Sequence, residues 1–188
     1  MNFSLRALTV AAMISAASIG GAMAQDNPMV GGAAMFADKN IVENAVNSAD
    51  HTTLVAAVQA AGLVETLSGE GPFTVLAPVN AAFDALPAGT VDTLLKPENK
   101  DMLATILACH VIPAKALSTD IVGMVEADGG EHVVDTVGGC KLTLKAADGK
   151  VTVTDENGTV ANVTIADVIQ SNGVIHVIDA VLTPKSAM

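Results

Sequence analysis

The sequence predicts an α+β domain, with helices in its N-terminal half and a mainly antiparallel sheet or sandwich in its C-terminal half. Between residues 40 and 108 the apolar residues recur at helical spacing. From residue 131 onward they alternate with threonines and charged residues, as in strands that bury one face. Gly-Gly, Asp-Gly and Asn-Gly pairs separate these later runs, which predicts a meander of hairpins.

The first 24 residues have the pattern of a cleaved signal peptide. Met1–Arg6 carries one positive side chain, residues 7–19 are a short apolar run, and Ala22–Ala24 matches a signal peptidase site. A membrane anchor is the alternative, but Gly20 and Gly21 interrupt a run that is already short for a bilayer span. We therefore expect a secreted or periplasmic protein with no membrane insertion after cleavage.

Cleavage leaves 164 residues, enough for one domain with a sizeable core. Residues 25–39 are rich in small side chains and are predicted to form an N-terminal tail. The domain itself is predicted to span residues 40–184, followed by a short C-terminal tail at 185–188. The sequence leaves the oligomeric state open.

Composition excludes several classes of partner. The leader has one basic and no acidic residue, so the mature chain carries 20 acidic and 8 basic residues, a formal charge of −12. This acidity disfavours nucleic acid and anionic lipid as partners. The mature chain has three phenylalanines and no tyrosine or tryptophan, which argues against a platform for stacking bases or sugars.

The helical part of the pattern divides at glycine and proline residues. Gly62 and Gly69 end two of the segments, and Pro97 begins another. Apolar stripes at helical spacing mark the longer segments. The predicted helices are Asn40–Ser48, Thr52–Ala61, Leu63–Ser68, Asn80–Leu86, Gly89–Leu95 and Glu98–Ala108.

Strands are predicted from apolar alternation and from turn residues. The last strand, which begins after Asn172 and Gly173, is apolar on both faces and is expected in the middle of the sheet, folded back on the strand before it. The other predicted strands are Phe73–Leu76, Cys109–Ile112, His132–Val137, Cys140–Ala146, Val151–Thr154 and Val160–Ile169.

Two cysteines in an exported chain suggest a disulfide bond. Cys109 and Cys140 enclose 30 residues, and closing such a loop contributes about 3–4 kcal/mol in the chain-entropy model. Two buried thiols or a shared metal are the alternatives. No CxxC motif and no histidine at ligand spacing accompany the pair, so we expect no metal site.

Four separated blocks resemble the fasciclin domain family. They read FTVLAPVNAAFDALPAGTVDTLL, ILACHVIPAKAL, DTVGGCKLTL and ADVIQSNGVIHVIDAVLTP, and their order and spacing cover about residues 40–184. The chain is similar to small secreted bacterial proteins that contain one such domain. The resemblance implies a β wedge or sandwich with helices packed around it.

The resemblance also implies a function in binding, without catalysis or a cofactor. Fasciclin domains act in cell–cell or cell–matrix adhesion, so a cell-surface or matrix protein or glycan is the expected partner. In animal members an Asp-Ile segment and a Tyr-His segment are implicated in integrin recognition. The corresponding positions here are Asp167-Val168 and Cys109-His110, which makes His110, Asp167 and Val168 candidate binding residues.

Considered without the resemblance, the polar residues of these blocks are expected to be structural. His110 and His176 lie in apolar surroundings, and buried polar groups normally have hydrogen-bond partners. Asn80 could cap the helix that begins there, Asn172 fits a turn, and Asp179 could accept from a backbone donor.

Catalysis is not expected, because the sequence contains no GxSxG, HExxH or phosphate-binding loop motif. The alternative to adhesion is a periplasmic protein that holds a small hydrophobic ligand in its apolar interior, or an envelope-structural protein. High apolar content motivates the ligand hypothesis, although a tight core gives the same composition.

Overall fold

The computed structural model describes residues 27–185. The predicted signal peptide and residues 186–188 of the predicted C-terminal tail lie outside this range. Helices fill most of the chain before residue 128 and strands most of the chain after residue 131, which confirms the α+β prediction. No helix within residues 27–185 has the length and apolar character needed to cross a membrane.

Seven α-helices are found in the described part of the chain. Asn40 caps the first through a reciprocal box, in which its Oδ1 accepts from Glu43 N at 2.9 Å and its own N donates to Glu43 Oε2 at 2.9 Å. Gly62 ends the second in the left-handed conformation, with φ of 73°. The helices are α1 (Ile41–Ala45), α2 (Thr52–Ala61), α3 (Val64–Ser68), α4 (Asn80–Asp84), α5 (Thr90–Leu94), α6 (Lys100–Ala108) and α7 (Ser118–Ala127).

The sequence pattern did not predict α7. Gly123 and the β-branched residues around it lower the helix propensity of this segment. Tertiary packing overrides that preference, because Ile121 and Val125 are 2% and 1% exposed and belong to the core formed with the sheet.

A seven-stranded sheet and a separate two-stranded hairpin make up the β structure of residues 27–185. The hairpin consists of β1 (Met29–Val30) and β2 (Ala33–Ala34). The sheet strands are β3 (Phe73–Pro78), β4 (Val111–Ile112), β5 (His132–Asp135), β6 (Lys141–Ala147), β7 (Lys150–Thr154), β8 (Val160–Gln170) and β9 (Gly173–Ile178). Their spatial order is β4-β3-β9-β8-β7-β6-β5.

The last strand lies inside the sheet, as its apolar pattern indicates. β9 pairs antiparallel with β8 and parallel with β3, from Phe73 opposite Gly173 to Pro78 opposite Ile178. All six residues of β9 are buried. Alternate residues serve two cores: Ile175 contributes to the core under α1, α2 and α6, and Ile178 to the core under α7.

The two ends of the sheet meet, so that the sheet is close to a barrel. Val137 N donates to Val111 O at 2.8 Å, and Gly138 N donates to Ala108 O at 3.0 Å. At the same place Cys109 and Cys140 form a disulfide bond, with their Cα atoms 5.4 Å apart. The predicted disulfide is thus present, and it ties α6 to the start of β6.

Part of the predicted N-terminal tail packs on the domain. Val30 and Met35 are 3% and 2% exposed and belong to the core beneath α1 and α2. Gly31 joins the two short strands at φ of 57°, and its carbonyl accepts from Ala49 N at 3.1 Å. The β1–β2 hairpin therefore covers one side of the helical core.

Candidate functional site

The Asp167-Val168 pair is held within the fold. The Asp167 carboxylate accepts from Ser118 N at 2.6 Å and also from the Ser118 hydroxyl, so it satisfies donors at the start of α7. Val168 is fully buried. The structure thus gives Asp167 a helix-capping contact and Val168 a packing contact, both internal.

His176 completes this arrangement from β9. Its Nε2 lies 2.9 Å from Ala116 O and therefore carries the proton, which leaves Nδ1 to accept from Asp167 N at 3.3 Å. Burial lowers the pKa of His176, while the Ala116 carbonyl and the Asp167 carboxylate offset part of that shift. Both ring nitrogens bind backbone groups rather than the Ser118 hydroxyl, so Ser118, Asp167 and His176 are not arranged as a catalytic triad.

His110 is a buried connector between α6 and the C-terminal segment. Nδ1 donates to Ile106 O at 2.8 Å, and Nε2 accepts from Leu182 N at 2.9 Å. The side chain is 2% exposed. Burial lowers the pKa of His110 from 6.5 to about 4, although the Ile106 carbonyl and Asp155 act in the opposite direction. The ring is neutral at pH 7, and both nitrogens are used inside the fold.

Because these histidines are buried, we expect the protein to lose stability in mild acid. An unfolded chain protonates His110 below its ordinary pKa of 6.5, whereas the folded chain resists until about pH 4. The unfolded state then binds more protons, so the free energy of unfolding falls as pH drops from about 6.5 to 4. A shift of this size corresponds to about 3 kcal/mol from His110 alone. Urea unfolding across this pH range measures the effect.

A glutamine at position 110 isolates this contribution. His110→Gln keeps one donor and one acceptor but does not titrate, so it should be less stable than wild type at pH 7 and should lose less stability on acidification. His132→Gln, at a surface pair with Asp128, is the matched substitution outside the core. A constant stability difference between wild type and His110→Gln from pH 7 to 4 would contradict the assignment.

Asn80 caps a different helix from the one predicted. It is the first residue of α4 rather than the residue before it, and it makes no cap to that helix. Instead Oδ1 accepts from Thr53 N at 3.0 Å, and Nδ2 donates to Ala49 O at 2.8 Å. The expected cap of its own helix was therefore wrong, because Asn80 caps α2 across the fold.

Asp179 and Asn172 each join separate segments. Asp179 accepts from Asn162 N at 2.7 Å and from Asn162 Nδ2 at 2.8 Å, which is the kind of backbone contact expected for it. Asn172 lies in the β8–β9 turn, and its Oδ1 accepts from Ile41 N at 3.0 Å. Its Nδ2 donates to Leu67 O at 2.8 Å and to Gly69 O at 2.9 Å. Asn172 thus fixes two other segments, the start of α1 and the end of α3, in addition to its place in the turn.

These two segments and the β8–β9 turn contribute most of the lining of an open polar groove of about 540 Å³. Glu70 and Lys115, both exposed, contribute its two charged side chains, and the remaining lining comes from polar residues, glycines and one proline. We call this feature the polar groove. Its lining residues are Asn40, Ser68, Gly69, Glu70, Gly71, Pro72, Lys115, Gln170, Ser171, Asn172 and Gly173.

Close backbone packing makes the base of the polar groove rigid. A Cβ at Gly71 would lie 1.9 Å from Asn172 O, and a Cβ at Gly173 would lie 2.1 Å from Phe73 O. Side chains of any other residue cannot fit there without separating the strands. The groove is therefore a preformed surface feature at the start of β3 and β9.

A second cavity, of about 50 Å³, lies in the helical core and is almost entirely apolar. We call it the apolar cavity. His51 lines it at 3% exposure, with Nδ1 2.8 Å from Ser48 Oγ. Burial lowers the pKa of His51, partly offset by the Ala77 carbonyl and Asp50. The Ala77 carbonyl acts on the ring without forming a hydrogen bond to it, and His51 Nε2 is the one buried side-chain nitrogen or oxygen in residues 27–185 without a partner.

In residues 27–185 the acidic, histidine and cysteine side chains do not cluster as a metal site would require. Within the described range, no three of them converge closely enough to hold an ion.

Comparison with models of protein families identifies the family of this chain. The family model described as the fasciclin domain matches residues 49–184, most of the chain. The chain belongs to the fasciclin domain family. The fasciclin match begins after α1, so the β1–β2 hairpin and α1 lie before the matched segment.

Relatives and a solved structure agree with this fasciclin assignment. Protein sll1483 of Synechocystis sp. is 50% identical over 160 residues, 85% of this chain and 82% of that protein. Cell surface glycolipoprotein MPB83 of Mycobacterium bovis is 35% identical over 190 residues, 95% of this chain and 79% of that protein. The FAS1 domain pair of the insect cell adhesion molecule fasciclin I matches the fold with a TM-score of 0.68 at 17% identity, covering 79% of this chain and 52% of that one.

Sequence reasoning missed several residues that shape these sites. Asn44 is fully buried, binds both backbone groups of Phe36 and donates to Gln170, joining α1 and the segment after the hairpin to β8. Its place on the apolar side of a predicted helix was the available signal. His51 gave none, because Asp50 and Thr52 flank it and suggest a surface position.

Proposed function

We propose that this fasciclin domain is an exported, non-catalytic interaction module that binds a protein of a cell surface or matrix through the polar groove. The observation that carries the proposal is the exposed pair of opposite charges, Glu70 and Lys115, above a rigid backbone base. A preformed site avoids the entropy cost of ordering loops on binding. Exposed residues of opposite charge also give orientation to a bound partner.

Groove chemistry favours a polypeptide over a glycan. No aromatic residue lines the polar groove, and sugar recognition commonly uses aromatic faces. Its volume of about 540 Å³ suits a few residues of a partner chain. The polar lining offers donors and acceptors for a peptide backbone, as at other peptide-binding surfaces.

The residues that the family resemblance marks as adhesive contact other parts of this fold, which supports the polar groove as the binding surface. His110, Asp167 and Val168 make their contacts within the fold, so they contribute to adhesion by maintaining the domain. The relatives add support for the setting, since one is a cell surface glycolipoprotein by name and the matched structure is from a cell adhesion molecule.

Attachment of whole cells tests this function. A strain of the source organism without the gene should attach less well to its surfaces or host cells, and restoring the wild-type gene should recover attachment. An antibody against the folded domain should reduce attachment of the wild-type strain. Unchanged attachment in the deletion strain would contradict the adhesive function.

A second function, the binding of a small hydrophobic ligand, is favoured by a separate observation. The apolar cavity contains the unpartnered nitrogen of His51, which points to a ligand with a polar atom.

A further inference from the structure

The apolar cavity combines a hydrophobic wall with one unsatisfied polar atom. Nδ1 of His51 is 2.8 Å from Ser48 Oγ, while Nε2 has no partner in the described residues. Leaving a buried nitrogen unpaired costs stability, so such atoms are uncommon in folded proteins. An unpaired nitrogen of this kind marks a position where a hydrogen bond to a ligand atom would be favourable.

Cavity size limits the molecule that fits. The apolar cavity measures about 50 Å³. An apolar cavity of about 150 Å³ holds benzene, whereas one water needs about 10–15 Å³ of accessible space. A ring is therefore too large, and a chain of a few heavy atoms is the right size.

The cavity wall disfavours water as the occupant. A buried water normally makes two to four hydrogen bonds. Here both His110 nitrogens are already engaged, and the Ser48 hydroxyl is paired with His51. The rest of the wall is dominated by apolar side chains, among them Val30, Met35, Leu54, Val58, Val75 and Ile175.

Hydrogen bonding to His51 selects the polar atom of the ligand. If Ser48 donates to Nδ1, Nε2 carries a proton and is a donor; if Nδ1 donates to Ser48, Nε2 is an acceptor. A hydroxyl group both donates and accepts, so it can pair with either tautomer. A carbonyl, an ether or an ammonium group would serve only one of them.

We infer that the apolar cavity is a binding site for a small aliphatic alcohol, with its hydroxyl on His51 Nε2 and its carbons against Val58 and its neighbours. This site is separate from the polar groove, and the inference rests on the second proposed function, the binding of a small hydrophobic ligand in the apolar cavity. Val30 of the β1–β2 hairpin and Met35 just after it line the cavity, and the flexible Met35 side chain can adapt to the bound chain.

Titration of the mature, disulfide-bonded protein with 1-propanol and with 1-chloropropane tests the site. The two probes have similar shape, but only 1-propanol has a hydroxyl group. Methyl NMR signals of Val30, Leu54 and Val58 should shift saturably with 1-propanol, while those of exposed Val133 and Val160 should not. Binding of 1-chloropropane should be at least about tenfold weaker, as expected for an unpaired buried nitrogen.

Three variants distinguish the contribution of the hydrogen bond to His51 from that of the cavity volume. His51→Leu should bind the two probes with similar affinity, because the hydrogen-bonding atom is gone. Ala45→Leu keeps His51 but fills the cavity and should bind neither probe. His132→Leu, a surface control, should behave as wild type. If His51→Leu does not fold, the loss of both probes in Ala45→Leu together with the tenfold preference of wild type carries the test.

Several results would overturn the inference. Shifts that spread over surface methyls without saturation would show that the alcohol has no site. Equal affinity of wild type for both probes would remove the role of the hydroxyl. A crystal structure grown with 1-propanol that places only water on His51 Nε2 would assign the cavity to water. Loss of attachment in the deletion strain is independent of all of these outcomes.

Discussion

Replacing Gly173 by alanine is expected to lower the free energy of unfolding by more than about 3 kcal/mol. The new Cβ would lie 2.1 Å from Phe73 O, in the parallel pair of β3 and β9. A backbone oxygen cannot rotate away as a side chain can, so β3 and β9 must separate. Urea denaturation of the purified protein measures the loss, and the polar groove beside Gly173 should be distorted with it.

The same substitution at Gly123 provides the matched control. This residue lies on the exposed face of α7, with no atom within 4 Å of the added Cβ. Alanine there should stabilise the protein by up to about 1 kcal/mol through helix propensity. If Gly173→Ala were as stable as wild type, the close approach of β3 and β9 would be wrong.

Removal of the disulfide is expected to cost about 3–4 kcal/mol. Cys109 and Cys140 close a loop of 30 residues, and the loop holds α7 and β5. Without the bond the unfolded chain gains conformational freedom. The Cys109→Ala/Cys140→Ala double variant should therefore unfold at a lower urea concentration than the oxidised wild type.

Chemical reduction distinguishes the effect of losing the disulfide bond from the effect of replacing the two cysteine side chains. Dithiothreitol should lower the stability of wild type toward that of the double variant and should leave the double variant unchanged. A double variant within 1 kcal/mol of the oxidised wild type would show that the bond contributes little to the near-barrel closure.

Much of the architecture could be predicted from periodicity and turn residues. Thr52–Ala61 has the predicted bounds, because its apolar stripe is regular and Gly62 ends it. The strand after Gly173 lies inside the sheet, because residues apolar on both faces require cover on both faces. Local signals were sufficient where local and tertiary preferences agree.

Other features depend on contacts between distant segments, which a single sequence does not show. Helix α7 forms because Ile121 and Val125 pack against the sheet, against a weak local preference. The parallel pairing of β3 with β9 joins residues about 100 positions apart. The hairpin at residues 29–34 folds onto a core that lies later in the chain.

Candidate site residues show the same limit. The family resemblance implied binding roles for Asp167, Val168 and His110, whereas the structure gives all three internal contacts. The polar groove forms because Asn172 holds the loop at Gly69–Pro72 against the β8–β9 turn. Neither segment alone has a binding motif.

Charge reversal in the polar groove is the most direct test of the central claim, that this surface mediates adhesion. The deletion strain would carry Glu70→Lys/Lys115→Glu, with Asp135→Lys/Lys141→Asp as a control at an exposed pair on β5 and β6. Both double variants keep the net charge, and circular dichroism melts and periplasmic or surface levels would be matched. We expect the groove variant to lose attachment and the control to retain it. Full attachment with the groove variant would contradict the claim.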